Sequence, residues 1–364
     1  MDVSPAEFEV EVPVTAPYDA PGIFRFLAVR AVAGVEAADL TRPEDLRYAR
    51  TLTLPGGPAS VLVVATRTEN RRWVLRARLH LSSAADQVPA LDAIRALFDV
   101  DTDPMEVDGA LAADPALALF VQCIPGIRVP GAVDPHELVV RALVGQQISV
   151  AAARTHLGRL AGALGTPYAA PGHRISFPSS LPPGLPPMRL SGECPDEGSL
   201  LSQLHRHFPT AAQIASGVPE PVSGERPDPE RPLRLPGQAV RAVVGTSRAL
   251  ADGELTVHAG VEPDVLRREL LARPRIGPWT AAYVAMRVLR EPDAWLDGDV
   301  ALLAGARAAG LLEPGLTGAA AHRSLAVRAT DWSPWRSYAA MHLWQPAGRR
   351  ATMGGDGRPR RSAP

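Results

Sequence analysis

The chain has 364 residues, of which 46% are hydrophobic and 21% are charged, and its formal net charge at pH 7 is -1. This length allows two or three domains with a sizeable core, and the composition is ordinary for a globular protein. The two cysteines, Cys123 and Cys194, exclude a four-cysteine zinc or iron–sulfur site and make a disulfide framework unexpected. No basic N-terminal start is followed by an apolar run, and no apolar stretch is long enough to cross a bilayer, so we expect a cytoplasmic protein that binds no membrane. We also expect no cofactor.

The basic side chains are all arginine or histidine, since the sequence contains no lysine. The near-neutral net charge does not by itself indicate a nucleic-acid binder. Whole-chain charge is a weak criterion, however, because such binding needs a local basic face rather than a basic protein. The absence of lysine also removes every ε-amine from the chemistry available to this chain.

The first hundred residues alternate between strand and helix patterns, which indicates an α+β layer. Phe8, Val10 and Val12 alternate with polar residues, as in a half-buried strand. The other elements predicted there are a helix over 21–32, two strands over 61–66 and 73–81 joined by a hairpin, and a helix over 91–98. We therefore predict an N-terminal α/β domain over residues 1–112.

Helical patterns replace the strand signal from about residue 113 onward. Asp134 and Pro135 form a helix start, with a cap followed by proline at the first position, and the helix is predicted to reach Val144. Ser149 then caps a second helix that runs to Leu164. Further helices are predicted over 237–250, after residue 299 and over 337–343.

Two stretches rich in proline, glycine and charge interrupt this helical region near 168–190 and 218–232, and they are predicted to be surface insertions. The Gly-, Pro- and Arg-rich residues 345–364 are predicted to form a disordered basic tail. The predicted division is therefore an α/β domain, an all-helical core over 113–344 and the tail.

The pattern over residues 263–283 predicts a helix, a tight turn and a second helix. Pro263 and Pro278 occupy the first positions of the two helices, where a missing N–H is harmless. Gly277, in the turn, is interpreted as allowing a backbone conformation that a side chain would oppose. Because a helix N-terminus offers unpaired N–H groups and a positive dipole end, this hairpin is a candidate phosphate site.

An acidic residue follows this hairpin, twenty positions after Trp279. Asp299 precedes an apolar helical start, so its simplest interpretation is a helix N-cap. A cap position also turns a carboxylate toward the mouth of the helix, which makes the same residue a candidate for catalysis. Asp297 is the rival acid, and the spacing alone does not choose between them.

Aromatic residues are concentrated near the same segments, although only 5% of the chain is aromatic. Trp279 and Tyr283 are four residues apart on one helix and therefore share a face. Trp344 is a third candidate near the C-terminus. Core packing is the alternative for each of them. As a group they would suit an electron-poor cationic ring through stacking and cation–π attraction, at roughly 0.5–2 kcal/mol per contact.

Together these segments resemble the bacterial DNA-3-methyladenine glycosylase II (AlkA) group of the helix-hairpin-helix glycosylase superfamily. The resemblance covers most of residues 10–345. The segments that carry it are Pro17-Tyr18-Asp19, Phe26-Leu27-Ala28, residues 70–81, residues 140–147, the hairpin, and Trp335-Arg336-Ser337-Tyr338-Ala339. It implies a TATA-binding-protein-like α/β domain followed by two helical domains with the active-site cleft between them.

The resemblance also implies roles for individual residues. Asp299 matches the catalytic acid, and Gln147 falls at a wedge that enters the duplex, although its turn also reads as a plain helix–helix connection. The implied base-pocket residues are Trp279, Tyr283, Trp344 and Phe26. The backbone of Ile276, Gly277 and Thr280 would bind a phosphate, and the carbonyls of Leu271 and Arg273 could hold a cation.

Three positions depart from the family pattern. Arg275 stands where the hairpin usually has its first glycine. Val300 replaces an aromatic residue beside the acid, and Gln147 is polar where an apolar wedge is usual.

The implied activity is the excision of alkylated bases, such as 3-methyladenine and 7-methylguanine, from duplex DNA after base flipping. Strand-nicking members of the superfamily have a lysine at the position of Trp279. This lysine-free chain is therefore predicted to be monofunctional, without AP-lyase activity, and to act as a monomer. Two alternatives stay open: a non-catalytic helix-hairpin-helix module that recognises damaged or distorted DNA, and a helical interaction protein whose tryptophans all lie in the core.

Overall fold

The computed structural model describes residues 6–169, 197–222 and 230–353. These residues form two compact units, each assembled from separate stretches of chain. The first unit contains the described parts of Met1–Pro13, Phe24–Ile94 and Val144–Arg248, and the second those of Val14–Ile23, Arg95–Leu143 and Ala249–Pro364. This interleaved arrangement differs from the linear boundary predicted at residue 112.

The first unit contains a five-stranded antiparallel sheet with the strand order β1-β5-β4-β3-β2. Its strands are β1 (Ala6–Val12), β2 (Glu36–Arg42), β3 (Asp45–Leu54), β4 (Gly57–Arg67) and β5 (Trp73–Leu81). The structure confirms the predicted strands β1, β4 and β5. Strands β2 and β3 were missed. In β3 the alternating residues Leu46, Tyr48 and Leu52 are buried, but Arg50 interrupts the apolar pattern. Arg50 forms a buried ion pair with Glu36 of β2, and the two residues are 5% and 6% exposed.

The helices in chain order are α1 (Ala20–Ala28), α2 (Gln87–Phe98), α3 (Pro104–Ala112), α4 (Pro115–Cys123), α5 (Pro135–Val144), α6 (Val150–Leu164), α7 (Glu197–Leu201), α8 (Ala211–Gly217), α9 (Gly237–Ala251), α10 (Pro263–Leu271), α11 (Pro278–Val284), α12 (Val300–Ala308), α13 (Gly318–Arg328) and α14 (Arg336–Met353). The predicted α+β fold class, with a sheet first and helices after it, is confirmed. In the described part of the chain, no helix has the length and apolar character needed to span a membrane.

Helix boundaries agree best where a capping residue marks them. Asp134 accepts from the amide of His136 at the start of α5, and Ser149 accepts from the amide of Ala152 at the start of α6. Helix α1 ends at residue 28 rather than 32. Helix α14 continues to residue 353, so residues 345–353 extend this helix instead of starting the predicted disordered tail, and residues 354–364 lie outside the described residues.

The first unit closes around the sheet by bringing back chain from beyond residue 144. Tyr168 donates a hydrogen bond to the Ser60 hydroxyl of β4 at 2.8 Å. The buried cluster formed there is Ala37, Ala49, Leu62, Tyr168, Leu200, Leu201 and Leu204. Because this returning segment covers a face of the sheet, the α/β domain is not confined to residues 1–112. Most of the insertion predicted near 168–190, and residues 223–229 of the one near 218–232, lie outside the described residues.

A buried arginine connects separate stretches of the second unit. Arg128 is 1% exposed and donates hydrogen bonds to the carbonyls of Thr15, Pro17 and Thr102. Such a guanidinium satisfies several backbone acceptors at once because its donors form a planar fork. This contact ties residues 14–23 to the second unit, although they are surrounded in sequence by residues of the first.

Candidate active site

The helix-hairpin-helix predicted over 263–283 is present in the second unit. Helix α10 ends with the amide of Arg273 donating to the carbonyl of Leu270, and the amide of Ile276 then donates to the carbonyl of Arg273 at 3.2 Å. Gly277 is the N-cap of α11, without a side-chain capping bond, and Pro278 is its first residue. The first amides of α11 therefore lack capping by a side chain at an exposed turn.

The interpretation of Gly277 as the special backbone position was wrong. Its φ and ψ of -94° and 177° are extended, and a Cβ added there would meet no atom within 4 Å. The left-handed residue is Arg275, with a φ of 62°. The hairpin thus keeps its shape with an arginine at a position that favours glycine, and the backbone strain falls on that residue.

Replacing Arg275 by glycine should stabilise the protein slightly. A left-handed L-residue costs about 1–2 kcal/mol, and glycine loses about 0.5–1 kcal/mol more chain entropy on folding, so the expected gain is about 0.5–1 kcal/mol. Urea unfolding of the variant measures it. The matched control is Arg268→Gly inside α10, which should instead lower the free energy of unfolding by about 1 kcal/mol. Equal destabilisation by both substitutions would show that Arg275 bears no strain.

The carboxylate of Asp299 collects four N–H donors. As the N-cap of α12 it accepts from the amides of Ala301 and Leu302 through Oδ1, at 2.7 and 2.8 Å. The indole of Trp279 donates to Oδ2 at 2.8 Å, and the indole of Trp344 lies 3.4 Å from Oδ1. Three of these donors share Oδ1, which has two lone pairs, so the 3.4 Å contact of Trp344 is the weakest of the four. The capping and the site interpretations of Asp299 are therefore compatible in this geometry.

The rival acid, Asp297, is exposed, whereas Asp299 is partly buried. The structure brings Asp299 to the two indoles. Val300, the next residue after Asp299, is 77% exposed, so an apolar side chain lies open to solvent beside the carboxylate.

Trp279 and Tyr283 form a parallel stack, with ring centroids 5.2 Å apart and an angle of 7° between the ring planes. Both rings and Trp344 are partly exposed. Trp332 contrasts with them, since it is 3% exposed and its indole donates to Asp114 at 2.7 Å. Core packing therefore describes Trp332 but not the three aromatic residues gathered near Asp299.

Sequence reasoning missed Arg287, which contacts this aromatic pair. Arg287 is 6% exposed, donates to the Tyr283 hydroxyl at 2.6 Å, and lies with its guanidinium carbon 5.5 Å from the ring centroid. Its spacing of four residues from Tyr283 is the one signal that could have revealed the contact.

Helices α12 and α14 approach each other through their backbones. A Cβ added to Gly305 would lie 1.9 Å from the carbonyl oxygen of Leu343. Glycine is therefore required where the two helices cross. This crossing fixes the helix that starts at Asp299 against the helix that carries Trp344.

Phe26 and Gln147 belong to the first unit. Phe26 is 8% exposed, and the guanidinium carbon of Arg30 lies 3.7 Å from its ring centroid. Gln147 is exposed and has a φ of 60° in the turn between α5 and α6. Their roles as pocket wall and wedge stay predictions.

The other predicted contacts lie in the hairpin. Thr280 is 3% exposed and Leu271 is 47% exposed. The phosphate and cation roles of the hairpin backbone also stay predictions. Among the described residues, no group of three or more histidine, cysteine or acidic side chains is arranged to hold a metal ion.

The AlkA N-terminal domain family matches residues 9–134. A probable bifunctional transcriptional activator/DNA repair enzyme AlkA of Mycobacterium tuberculosis is 35% identical over 335 residues, which are 92% of this chain and 56% of that protein. The chain therefore spans about half the length of this relative. DNA-3-methyladenine glycosylase 2 of Escherichia coli is 29% identical over 337 residues, covering 91% of this chain and 95% of that protein.

Solved structures share the fold. A 3-methyladenine DNA glycosylase from Archaeoglobus fulgidus superposes with a TM-score of 0.67 at 14% identity, covering 94% of this chain and 98% of the other. An 8-oxoguanine glycosylase/lyase from Clostridium acetobutylicum gives a TM-score of 0.61 at 13% identity, covering 94% and 99%. At these identities the similarity establishes the fold alone, and the two enzymes named differ in activity.

Proposed function

We propose that this chain, which is similar to AlkA proteins and shares the fold of a 3-methyladenine DNA glycosylase, excises alkylated bases from duplex DNA. The observation that carries the proposal is the Asp299 carboxylate between two indole N–H groups, next to the Trp279–Tyr283 stack. A protein that only bound DNA would need neither an acid nor open aromatic rings at this place.

The donors around Asp299 favour a substrate with an activated leaving group. The groups bonded to it are indole and amide N–H groups, which do not give up a proton at neutral pH. An alkylated, cationic base needs no such proton in order to leave. It would stack on the Trp279–Tyr283 pair through dispersion and cation–π attraction.

In the proposed mechanism the damaged nucleotide is flipped out of the duplex, which costs a few kcal/mol and least for a poorly paired base. As the glycosidic bond breaks, positive charge develops on the sugar. The Asp299 carboxylate stabilises this charge and assists the attacking water, an effect of about 10²–10³ in rate for one well-placed group. Trp344 belongs to the base pocket in this proposal, and the pocket role of Phe26 stays a prediction from the resemblance.

The hairpin and the α5–α6 turn are the proposed DNA contacts. The amides of Gly277 and Thr280 at the start of α11 would bind a backbone phosphate, and the Ile276 amide, already bonded to Arg273, would contribute less. The carbonyls of Leu271 and Arg273 remain the proposed cation ligands. The exposed side chain of Gln147 would fill the gap left by the flipped base. The protein would work on the bacterial chromosome, in the cytoplasm, as a monomer.

The direct test is the release of bases from methylated duplex DNA by the purified protein. We expect release of 3-methyladenine and 7-methylguanine, and tighter binding to a duplex with an abasic-site analogue than to an intact duplex. Binding to DNA without release of either base would favour the non-catalytic module instead.

Strand cleavage should not accompany base release. The nicking chemistry of this superfamily proceeds through a lysine Schiff base, and the chain contains no lysine. We expect an intact abasic strand after single-turnover excision, breakage only after alkali, and no covalent complex on treatment with sodium borohydride. Cleavage products formed without alkali would contradict the monofunctional assignment.

A further inference from the structure

Arg287 connects the aromatic pair of the site to a loop that is distant in sequence. Its guanidinium donates to the carbonyl of Gly131 at 2.8 Å and to the carbonyl of Pro130, in addition to its bond to the Tyr283 hydroxyl at 2.6 Å. A guanidinium is suited to this because its donors lie in one plane at fixed angles. Each of the three donor nitrogens therefore has an acceptor in one buried arrangement.

An unbroken series of contacts runs from this anchor to the carboxylate. Arg287 holds the hydroxyl of Tyr283, whose ring is stacked 5.2 Å from that of Trp279. The indole of Trp279 donates to Oδ2 of Asp299 at 2.8 Å. A displacement of Arg287 would therefore be passed through two rings to the hydrogen bond on the carboxylate.

The backbone is unusual both where Arg287 starts and where its guanidinium binds. Residues Ala285–Leu289 form a π-helical turn centred on Arg287, a feature that is rare and often found at functional sites. On the acceptor side, a Cβ added to Gly131 would lie 2.3 Å from the carbonyl oxygen of Ala96, so the loop is packed tightly against the chain at that point. The anchor is therefore held firmly on both sides.

From these contacts we infer that Arg287 is a positioning residue for the Asp299 site and acts through the hydroxyl of Tyr283. The inference rests on the proposed base excision and adds to it the residue that fixes the aromatic pair. Arg287 itself, buried against backbone carbonyls, orients the pair and takes no part in bond breaking.

A double-mutant cycle with Arg287→Met and Tyr283→Phe tests the inference. In the wild-type background, Arg287→Met should lower the single-turnover excision rate by about 10–100-fold, since a misplacement of about 1 Å at a site costs about 10²-fold. The affinity for an abasic-analogue duplex should change less than about threefold. In the Tyr283→Phe background, the same substitution should change the excision rate less than about threefold, because the contact is already missing.

Arg128→Met is the matched control, since it removes another buried arginine that is bonded to carbonyls of the same unit. Its effect on the rate should be the same with and without Tyr283→Phe. The inference is overturned if the effect of Arg287→Met on the excision rate is also the same with and without Tyr283→Phe. If Arg287→Met does not fold, Tyr283→Phe alone decides, because it leaves the carbonyl bonds of Arg287 intact. A wild-type excision rate in Tyr283→Phe would then reject the inference.

A readout that needs no excision separates this inference from the proposed function. Near-ultraviolet circular dichroism reports the stacked Trp279–Tyr283 pair, and Arg287→Met should alter the same band as Tyr283→Phe, without a further change in the double variant. If the wild type releases no base but this pattern appears, the proposed function fails and the positioning role stands. An unchanged band in Arg287→Met would overturn the positioning role.

Discussion

Asp299→Asn should lower the rate of base release by about 10²–10³-fold or more, the effect of removing one well-placed charged group. Asparagine cannot supply the negative charge that stabilises the sugar cation. One carboxylate oxygen, which accepts a hydrogen bond, would also become an amide NH₂ group, which can only donate. This NH₂ group would face an N–H donor, either the indole of Trp279 or an amide of α12, and that hydrogen bond would be lost. The measurement is the single-turnover rate on methylated duplex DNA.

The folded state should survive this substitution, since asparagine is as good an N-cap as aspartate. A thermal melt of the variant checks that point. Asp297→Asn is the matched control, because Asp297 is exposed two residues away, and it should retain nearly the wild-type rate. Activity that persists in Asp299→Asn and disappears in Asp297→Asn would transfer the catalytic role to Asp297.

Acidification from pH 7 to pH 4 should remove about 3 kcal/mol of the free energy of unfolding through His342 alone. This side chain in α14 is fully buried, and burial lowers its pKa from 6.5 to about 4. Between these two values the unfolded chain binds a proton that the folded protein does not. The stabilisation is therefore complete above pH 6.5, falls as the pH decreases, and is fully lost below about pH 4.

Urea unfolding at pH 7 and at pH 4.5, compared between wild type and His342→Leu, measures this contribution. Leucine cannot titrate, so the variant should lose most of the His342 share of the difference between the two pH values. A remaining dependence is expected from His207, whose burial also lowers its pKa to about 4. An identical pH dependence in both proteins would show that His342 does not titrate in this way.

Local signals in the sequence predicted much of the helical structure. The caps Asp134 and Ser149 act on amides two or three residues away, so their effect can be predicted without knowing the tertiary fold. The N-cap role of Asp299 was predicted for the same reason, since an acid precedes an apolar helical start, and its catalytic role stays a prediction. Strand β2 shows no apolar alternation, and in β3 Arg50 interrupts the alternation of Leu46, Tyr48 and Leu52. The Glu36–Arg50 pair that replaces an apolar contact becomes buried only when the sheet forms.

The parts of the site that were missed depend on contacts between distant residues. The carbonyl partners of Arg287 are more than 150 positions away in sequence. Every residue has a backbone carbonyl, so the residue type at those positions does not indicate the contact. The prediction for the hairpin was wrong for a local reason. Gly277 was interpreted as the residue with a backbone conformation that a side chain would oppose, but the turn places a left-handed residue at Arg275. Residue type predicts what is tolerated at a position rather than what the turn demands.

The close crossing of Gly305 and Leu343 has a consequence for the energetics of the proposed reaction. Because backbone touches backbone there, the distance between the Asp299 carboxylate and the Trp344 indole is set when the protein folds. The carboxylate that faces the developing charge is then held in place by its N–H donors before the substrate arrives, and little reorganisation free energy is spent after the base enters. In the proposed reaction, a substitution at the exposed Val300 is expected to change lesion preference and to leave the electrostatics of the carboxylate as they are.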